Sequence, residues 1–136
     1  MAGQTRDHSL LAGRVQAQFG MLTLQFLLGM VVNLLGLPDQ NTGGVKVLSG
    51  SLLGLHVLLA LGLIINAALI VRLARTTSDA TSRLARGAGA GIGAATVFGV
   101  LTVAAPWSNF WSFLMAAAFI AALALYGRLF VQARLA

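Results

Sequence analysis

Three long stretches without a charged side chain constrain this chain more than any other feature of its sequence. No Asp, Glu, Lys or Arg occurs over residues 15–38, 47–71 and 87–127. An α-helix rises about 1.5 Å per residue, and about 20 apolar residues are needed to cross a hydrocarbon core about 30 Å thick. The first two stretches are therefore each long enough for one transmembrane helix.

The third stretch is about twice as long as a single span requires. Pro106 lies near its middle and is followed by Trp107, Ser108 and Asn109, a combination that breaks a helix. We therefore expect two helices here, joined by a tight turn. The sequence predicts an all-α integral membrane four-helix bundle, a single domain with spans over 19–37, 50–71, 87–105 and 110–129, an outer loop over 38–49 and a cytoplasmic loop over 72–86.

Bulk composition agrees with a membrane protein. Hydrophobic residues make up 58% of the chain and charged residues 9%, whereas about 25% of the residues of a soluble globular protein are charged. The net charge of +6 does not indicate a nucleic-acid partner, because no basic stretch carries interleaved aromatic residues. The chain lacks cysteine, which excludes disulfides and thiolate metal sites.

The positions of the basic residues predict the orientation in the membrane. Lys46 is the one basic residue of the predicted outer loop, whereas arginines flank the other ends of all four spans, at Arg6, Arg14, Arg72, Arg75, Arg83, Arg86, Arg128 and Arg134. Cytoplasmic loops are enriched in basic residues, so both termini and the central loop are expected in the cytoplasm, with an up-down-up-down chain path. The arginines of the central loop are expected near anionic lipid, with docking of a partner as the alternative.

Small residues predict which helix faces meet other helices, because they allow close approach of two backbones in lipid. On the first span, a stripe at spacings of three and four predicts one protein-facing side: Gln18, Leu22, Gln25, Gly29, Asn33 and Gly36. The glycines expected to pack helices together are Gly29, Gly36, Gly50, Gly54, Gly87, Gly89, Gly91 and Gly93.

His56 is the one ionisable side chain inside a predicted span. It is expected about two turns from the outer end of the second span, at the depth of Asn33 on the first. Polar groups in lipid are costly unless they are paired, so the two are expected to face each other or a shared polar cavity, which Gln25 and Asn66 would extend. The simplest interpretation is an interhelical hydrogen bond without chemistry.

A glutamine- and glycine-bearing first helix, an outer loop and a second helix with Ser-Leu-Leu-Gly-Leu-His at 51–56 resemble small four-helix membrane proteins of actinobacteria. More distantly, this pattern is similar to one half of haem A synthase. The resemblance implies haem held by histidines of the second and fourth helices, and His56 matches the first. The second position falls near Ala116, Ala117 and Ala118, so haem b would have His56 as its axial ligand from one protomer, or from two protomers across a dimer axis.

Three functional hypotheses remain. The favoured one is a non-enzymatic protein of a bacterial plasma membrane that contacts the lipid bilayer and packs with itself or within a larger membrane complex, with no metal site. The second is a b-type haem protein for electron transfer or haem handling through His56. The third is a small transporter with a cavity formed by Asn33, His56 and Gln25. Carboxylate-dependent proton coupling and hydrolysis are not expected, because all aspartates lie outside the spans and glutamate is absent.

Overall fold

A computed structural model describes residues 2–105 and 108–135, and the side chains of 9–105 and 108–134. The helices are α1 (Ala2–Leu35), α2 (Gly43–Ala74), α3 (Asp79–Ala104) and α4 (Ser108–Leu135), with one 3-10 turn at Pro38–Gln40. Each of the four is long and apolar enough to cross a membrane, which confirms the all-α prediction of four span-length helices. Pro106 and Trp107, on which the predicted break rests, lie outside the described residues, as does the side chain of His8.

The helices are longer than the predicted spans. α2 begins at Gly43 rather than near residue 50, so the predicted outer loop over 38–49 is mostly helical. At the other end, α2 continues to Ala74 and α3 begins at Asp79, which reduces the predicted loop over 72–86 to four residues. Hydropathy marks the apolar part of a helix, and a helix can continue beyond it because polar residues are solvated there.

Local chemistry explains where α1 ends and α3 begins. Gly36 has a φ of +75°, the left-handed conformation that commonly follows the last residue of a helix and favours glycine. The side-chain amide of Asn41 donates to the carbonyl of Leu35 at 2.8 Å, so one terminal carbonyl is satisfied. Ser78 caps α3 by accepting from the backbone N–H of Thr81. Gly36 was predicted as a helix-packing residue and instead ends α1.

Each helix packs against two others. α1 contacts α2 and α4, and α3 contacts the same two helices. Earlier residues of α1 contact later residues of α2. Arg14 is bonded to Asn66, whereas Gly29 lies against His56. The described residues form a four-membered ring of helices around a shared core.

The core lies at the end of the ring that carries the α2–α3 turn. Almost every buried side chain belongs to residues 9–25, 63–92 and 122–134, which we call the packed half. The open half comprises residues 26–62, 93–105 and 108–121. Among its described side chains, Leu28 and Ser49 are the buried ones. The four helices therefore share a core over about half of their length.

Small residues account for the close contacts of the packed half. A Cβ atom on Gly91 would lie 2.9 Å from the Cβ of Ala122, and one on Gly89 would lie 3.4 Å from Val71. Gly87 approaches Leu125 in the same way. By contrast, a Cβ on Gly54 or Gly93 would meet open space. These two glycines were predicted to pack helices together, and the structure places them at no such contact.

Gly50 makes only a looser contact. Its Cβ position lies 3.8 Å from the Pro38 ring, so it borders the 3-10 turn rather than a neighbouring membrane helix. The sequence pattern identifies a helix face, but the same spacing occurs on faces that neighbouring helices leave uncovered.

Candidate functional site

A seam of polar side chains lies between α1 and α2. On α1 it contains Arg14, Gln18 and Gln25, which recur at spacings of four and seven and therefore share one face. On α2 it contains His56 and Asn66. The seam is the main concentration of long-range side-chain hydrogen bonds among the described residues.

The part of the seam nearer the α2–α3 turn consists of Arg14, Gln18 and Asn66, and every side-chain polar atom of Gln18 and Asn66 is bonded. The amide nitrogen of Asn66 donates to Gln18 Oε1 at 2.8 Å and to the carbonyl of Arg14 at 3.1 Å. Arg14 returns a bond from its guanidinium to Asn66 Oδ1 at 3.3 Å. Gln18 Nε2 donates to the carbonyl of Leu63 at 3.2 Å. Because Gln18 and Asn66 are buried and all their polar atoms are paired, this cluster stabilises the α1–α2 contact and offers nothing to a ligand.

Tyr126 brings α4 to the same cluster. Its side chain is fully buried, and the side chain of Gln18 is its polar neighbour. The hydroxyl nevertheless makes no hydrogen bond of ordinary geometry.

The second part of the seam is a pair formed by Gln25 and His56. Gln25 Nε2 and His56 Nε2 lie 3.0 Å apart. Either the amide donates to a bare ring nitrogen, or the amide is turned and its oxygen accepts from a ring N–H. Gln25 Oε1 and His56 Nδ1 are both buried without a partner, so one donor and one acceptor stay unsatisfied in either arrangement.

Gly29 makes room for this pair. A Cβ atom at Gly29 would lie 3.1 Å from His56 Cε1 and 3.7 Å from Nδ1, so the imidazole lies directly against α1. His56 is about 20 Å along α2 from its first residue, Gly43. The histidine therefore lies farther from the start of its helix than the two turns expected from the sequence, because α2 begins earlier than the predicted span.

The predicted polar cavity is not assembled in one place. Asn33 is exposed, two residues before the end of α1, and the partner of His56 is Gln25 instead. Asn66 belongs to the cluster of the packed half. Arg14 was not expected to take part in the seam, and Gln18 was expected only on the protein-facing stripe. The spacing of seven between Gln18 and Gln25 is the signal that relates the two parts of the seam.

Haem ligation does not fit the geometry of His56. Its Nε2 is held by Gln25 at 3.0 Å, and its Nδ1 is enclosed by protein atoms. Gly29 lies against the ring carbon between these two nitrogens. Neither nitrogen faces a space for an iron atom and its macrocycle, and Ala116 and Ala117 are exposed on α4. The resemblance to haem A synthase stays a prediction that this site does not support.

The described side chains form no cluster of metal-ligating residues either. Within residues 9–105 and 108–134, no group of three His, Cys, Asp or Glu side chains is close enough to hold a metal ion.

Comparison of the chain with protein-family models, with curated proteins and with solved structures finds no match in any of the three.

Proposed function

We propose that the protein is a non-enzymatic integral membrane protein that acts by associating with other membrane-embedded chains, in the first instance with a second copy of itself. The observation that carries this proposal is the unequal burial of the two halves. The same four helices bury a continuous core in the packed half and almost no side chain in the open half.

In the open half, helix contacts continue mainly within each pair of consecutive helices. Phe98 of α3 stacks on Trp111 of α4 with ring centroids 6.2 Å apart, and Gly50 of α2 borders the Pro38 turn. Phe26 of α1 stacks on Phe119 of α4 where the open half borders the packed half. The helix faces that contact a neighbouring helix in the packed half are thus uncovered in the open half, where a partner can contact them.

The partner must be an uncharged transmembrane surface. Residues 47–71 and 87–127 carry no charge, and the hydrogen-bonding side chains of the seam face α1 and α2 rather than the exterior. A second copy of this chain meets that requirement, since its own open half is equally apolar. In lipid such an association depends on van der Waals packing, not on the hydrophobic effect.

The proposal includes an orientation, with the helices crossing a bacterial plasma membrane alternately and both termini in the cytoplasm. Two observations support it. Contacts between α1 and α2 pair early residues of one with late residues of the other. The arginines of the α2–α3 turn and Arg134 share the packed end, whereas Lys46 lies near the start of α2 at the other end.

The lack of native cysteine allows a direct test of orientation. Thr42→Cys, before α2, and Thr76→Cys, in the α2–α3 turn, both replace exposed residues. With a membrane-impermeant maleimide on intact cells, Thr42→Cys should be labelled, and Thr76→Cys should be labelled only after permeabilisation. The reverse pattern would overturn the orientation.

Single cysteines also test association through the open half. Ala117→Cys and Ala124→Cys replace exposed residues seven apart on one face of α4, the first in the open half and the second in the packed half. On α2, Ser51→Cys in the open half and Ile65→Cys in the packed half likewise replace exposed residues, 14 apart and on nearly the same face. Disulfide-linked dimers are expected from Ala117→Cys or Ser51→Cys and not from the two controls. A monodisperse monomer in lipid nanodiscs, with no co-purifying membrane protein, would contradict the proposal.

The haem hypothesis is tested by the visible spectrum of the same preparation. Because both ring nitrogens of His56 are enclosed or bonded, protein made in haem-replete cells is expected to be colourless. A Soret band that disappears in His56→Ala would establish haem binding and would require the α1–α2 seam to open around the histidine.

A further inference from the structure

A groove of about 700 Å³ lies between α2 and α3, on the side of the helices that no other described element covers. Its walls within the apolar part of the two helices carry no polar side chain except Thr96. The residues that form these walls include Ile64, Ala68, Val71, Gly89, Gly93 and Val97.

Glycine keeps the groove open on α3. A Cβ atom at Gly93 would have no heavy atom within 4 Å, and a Cβ at Gly89 would come within 3.4 Å of a methyl group of Val71. Gly89 thus marks where α2 and α3 touch, and Gly93 marks where they leave space one turn farther along.

Three arginines line the end of the same groove near the α2–α3 turn: Arg72, Arg75 and Arg86. All three side chains are exposed. Arg86 donates through Nε to the carbonyl of Ser82 at 3.3 Å, which leaves the outer N–H groups of its guanidinium available. Within the described residues, no carboxylate lies at salt-bridge distance from the three, although Asp79 begins α3 nearby.

We infer that this groove binds an anionic phospholipid, with an acyl chain along the apolar walls and the phosphate among Arg72, Arg75 and Arg86. A free phosphate would use the arginines alone, and a neutral lipid would use the walls alone. Basic pockets at the cytoplasmic ends of transmembrane helices suit anionic headgroups, and guanidinium groups bind phosphate through paired hydrogen bonds. The inference is independent of self-association, because α2 and α3 of one protomer form the whole site.

The first test compares two variants of equal charge. Arg72→Gln/Arg86→Gln removes two groove arginines, and Arg83→Gln/Arg128→Gln removes two exposed arginines outside the groove. Native mass spectrometry in neutral detergent would follow retention of phosphatidylglycerol, phosphatidylcholine and glycerol phosphate. The unmodified protein should retain phosphatidylglycerol in preference to the other two. The groove variant should bind it about tenfold or more weakly and the control variant nearly normally, because only the groove variant loses guanidinium groups that would contact the phosphate.

The second test fills the apolar part of the groove. Gly93→Phe places a ring in the uncovered strip, and Gly54→Phe places the same ring on an exposed position of α2 that lies outside it. Only Gly93→Phe should reduce retention of phosphatidylglycerol, with both variants eluting as folded protein. Equal retention of phosphatidylcholine, equal losses from the two charge variants, or binding of glycerol phosphate as strong as that of the lipid would each overturn the inference.

Discussion

His56 Nε2 and Gln25 Nε2 lie 3.0 Å apart in the middle of the α1–α2 contact. The pair joins the apolar parts of the two helices, where lipid would offer no hydrogen bond to replace a lost partner. Its remaining polar atoms, Gln25 Oε1 and His56 Nδ1, have no partner, so the pair is less completely satisfied than the Gln18–Asn66 cluster about two to three turns away.

The Gln25–His56 pair should be coupled energetically. Gln25→Leu leaves both ring nitrogens of His56 without a partner, and His56→Leu does the same to the amide of Gln25. Each single change should lower the free energy of unfolding in mixed micelles. The double variant should lose less than the sum, by about 0.6 to 2 kcal/mol. Strictly additive effects in a denaturant titration would mean that the contact contributes no stability.

The position of the imidazole also depends on the missing side chain of Gly29. Gly29→Ala would bring a methyl group to 3.1 Å from His56 Cε1, closer than ordinary contact, and should destabilise the protein by about 1 to 3 kcal/mol. Gly20→Ala is the matched control on the same helix, where a Cβ meets nothing within 4 Å.

The control should leave stability unchanged or raise it by up to about 1 kcal/mol, because alanine is the better helix former. Thermal unfolding of the two variants, recorded side by side in one detergent, measures the difference. A Gly29→Ala protein as stable as Gly20→Ala would show that α1 and α2 separate easily at His56.

The sequence predicts the helices better than it predicts their partners. The stretches without charged residues predict the four apolar segments reliably. The cost of placing a charged side chain in lipid is larger than any difference in helix propensity. Helix ends are less predictable. α2 begins at Gly43, before its apolar stretch, because residues 44–49 contain no proline to interrupt the helix. The stripe on α1 correctly includes Gln18 and Gln25 as buried residues, since helical periodicity alone determines a shared face.

Pairing across helices depends on axial register, which one helix does not encode. Asn33 and His56 are at similar distances from the ends of their predicted spans, yet His56 meets Gln25. In the observed register His56 lies opposite Gln25 and Gly29, and Asn33 lies beyond this contact, near the end of α1. Likewise, Gly91 and Gly93 follow the same small-residue pattern, but only Gly91 faces α4. A step of two residues along a helix is a rotation of about 200°, so Gly91 and Gly93 face different sides of α3.

Asn33 of α1 and Asn66 of α2 should respond very differently to removal of their side-chain amides. Asn66→Leu deletes the donor to Gln18 Oε1 and to the carbonyl of Arg14, and it leaves a buried acceptor unpaired. The expected loss of stability is about 1 to 3 kcal/mol. Asn33→Leu, at an exposed position near the end of α1, should change stability by less than about 0.5 kcal/mol.

Unfolding of both asparagine variants in mixed micelles gives the comparison, with the helix content checked by circular dichroism. A loss from Asn33→Leu as large as that from Asn66→Leu would show that Asn33 has a buried partner, and the open half would then need to close over it.

Gly91 of α3 lies directly against Ala122 of α4, and a compensating change can test this contact. Gly91→Ala would place a Cβ 2.9 Å from the Cβ of Ala122, with the Ala122 Cα at 3.3 Å and the Ala118 carbonyl oxygen at 3.4 Å. Backbone atoms cannot move aside as a flexible side chain can, so we expect a loss of about 1 to 3 kcal/mol. Gly93→Ala is the control, since its Cβ would meet open space.

Adding Ala122→Gly to Gly91→Ala should restore part of this stability, because the shortest contact disappears while the two backbone contacts remain. The same Ala122→Gly change in the unmodified chain should instead cost about 1 kcal/mol in helix propensity. The sign of one substitution therefore reverses with the residue at position 91, which a thermodynamic cycle of four unfolding measurements detects. If Ala122→Gly lowers stability equally in both backgrounds, α3 and α4 do not meet at these two residues, and the packed half is built differently.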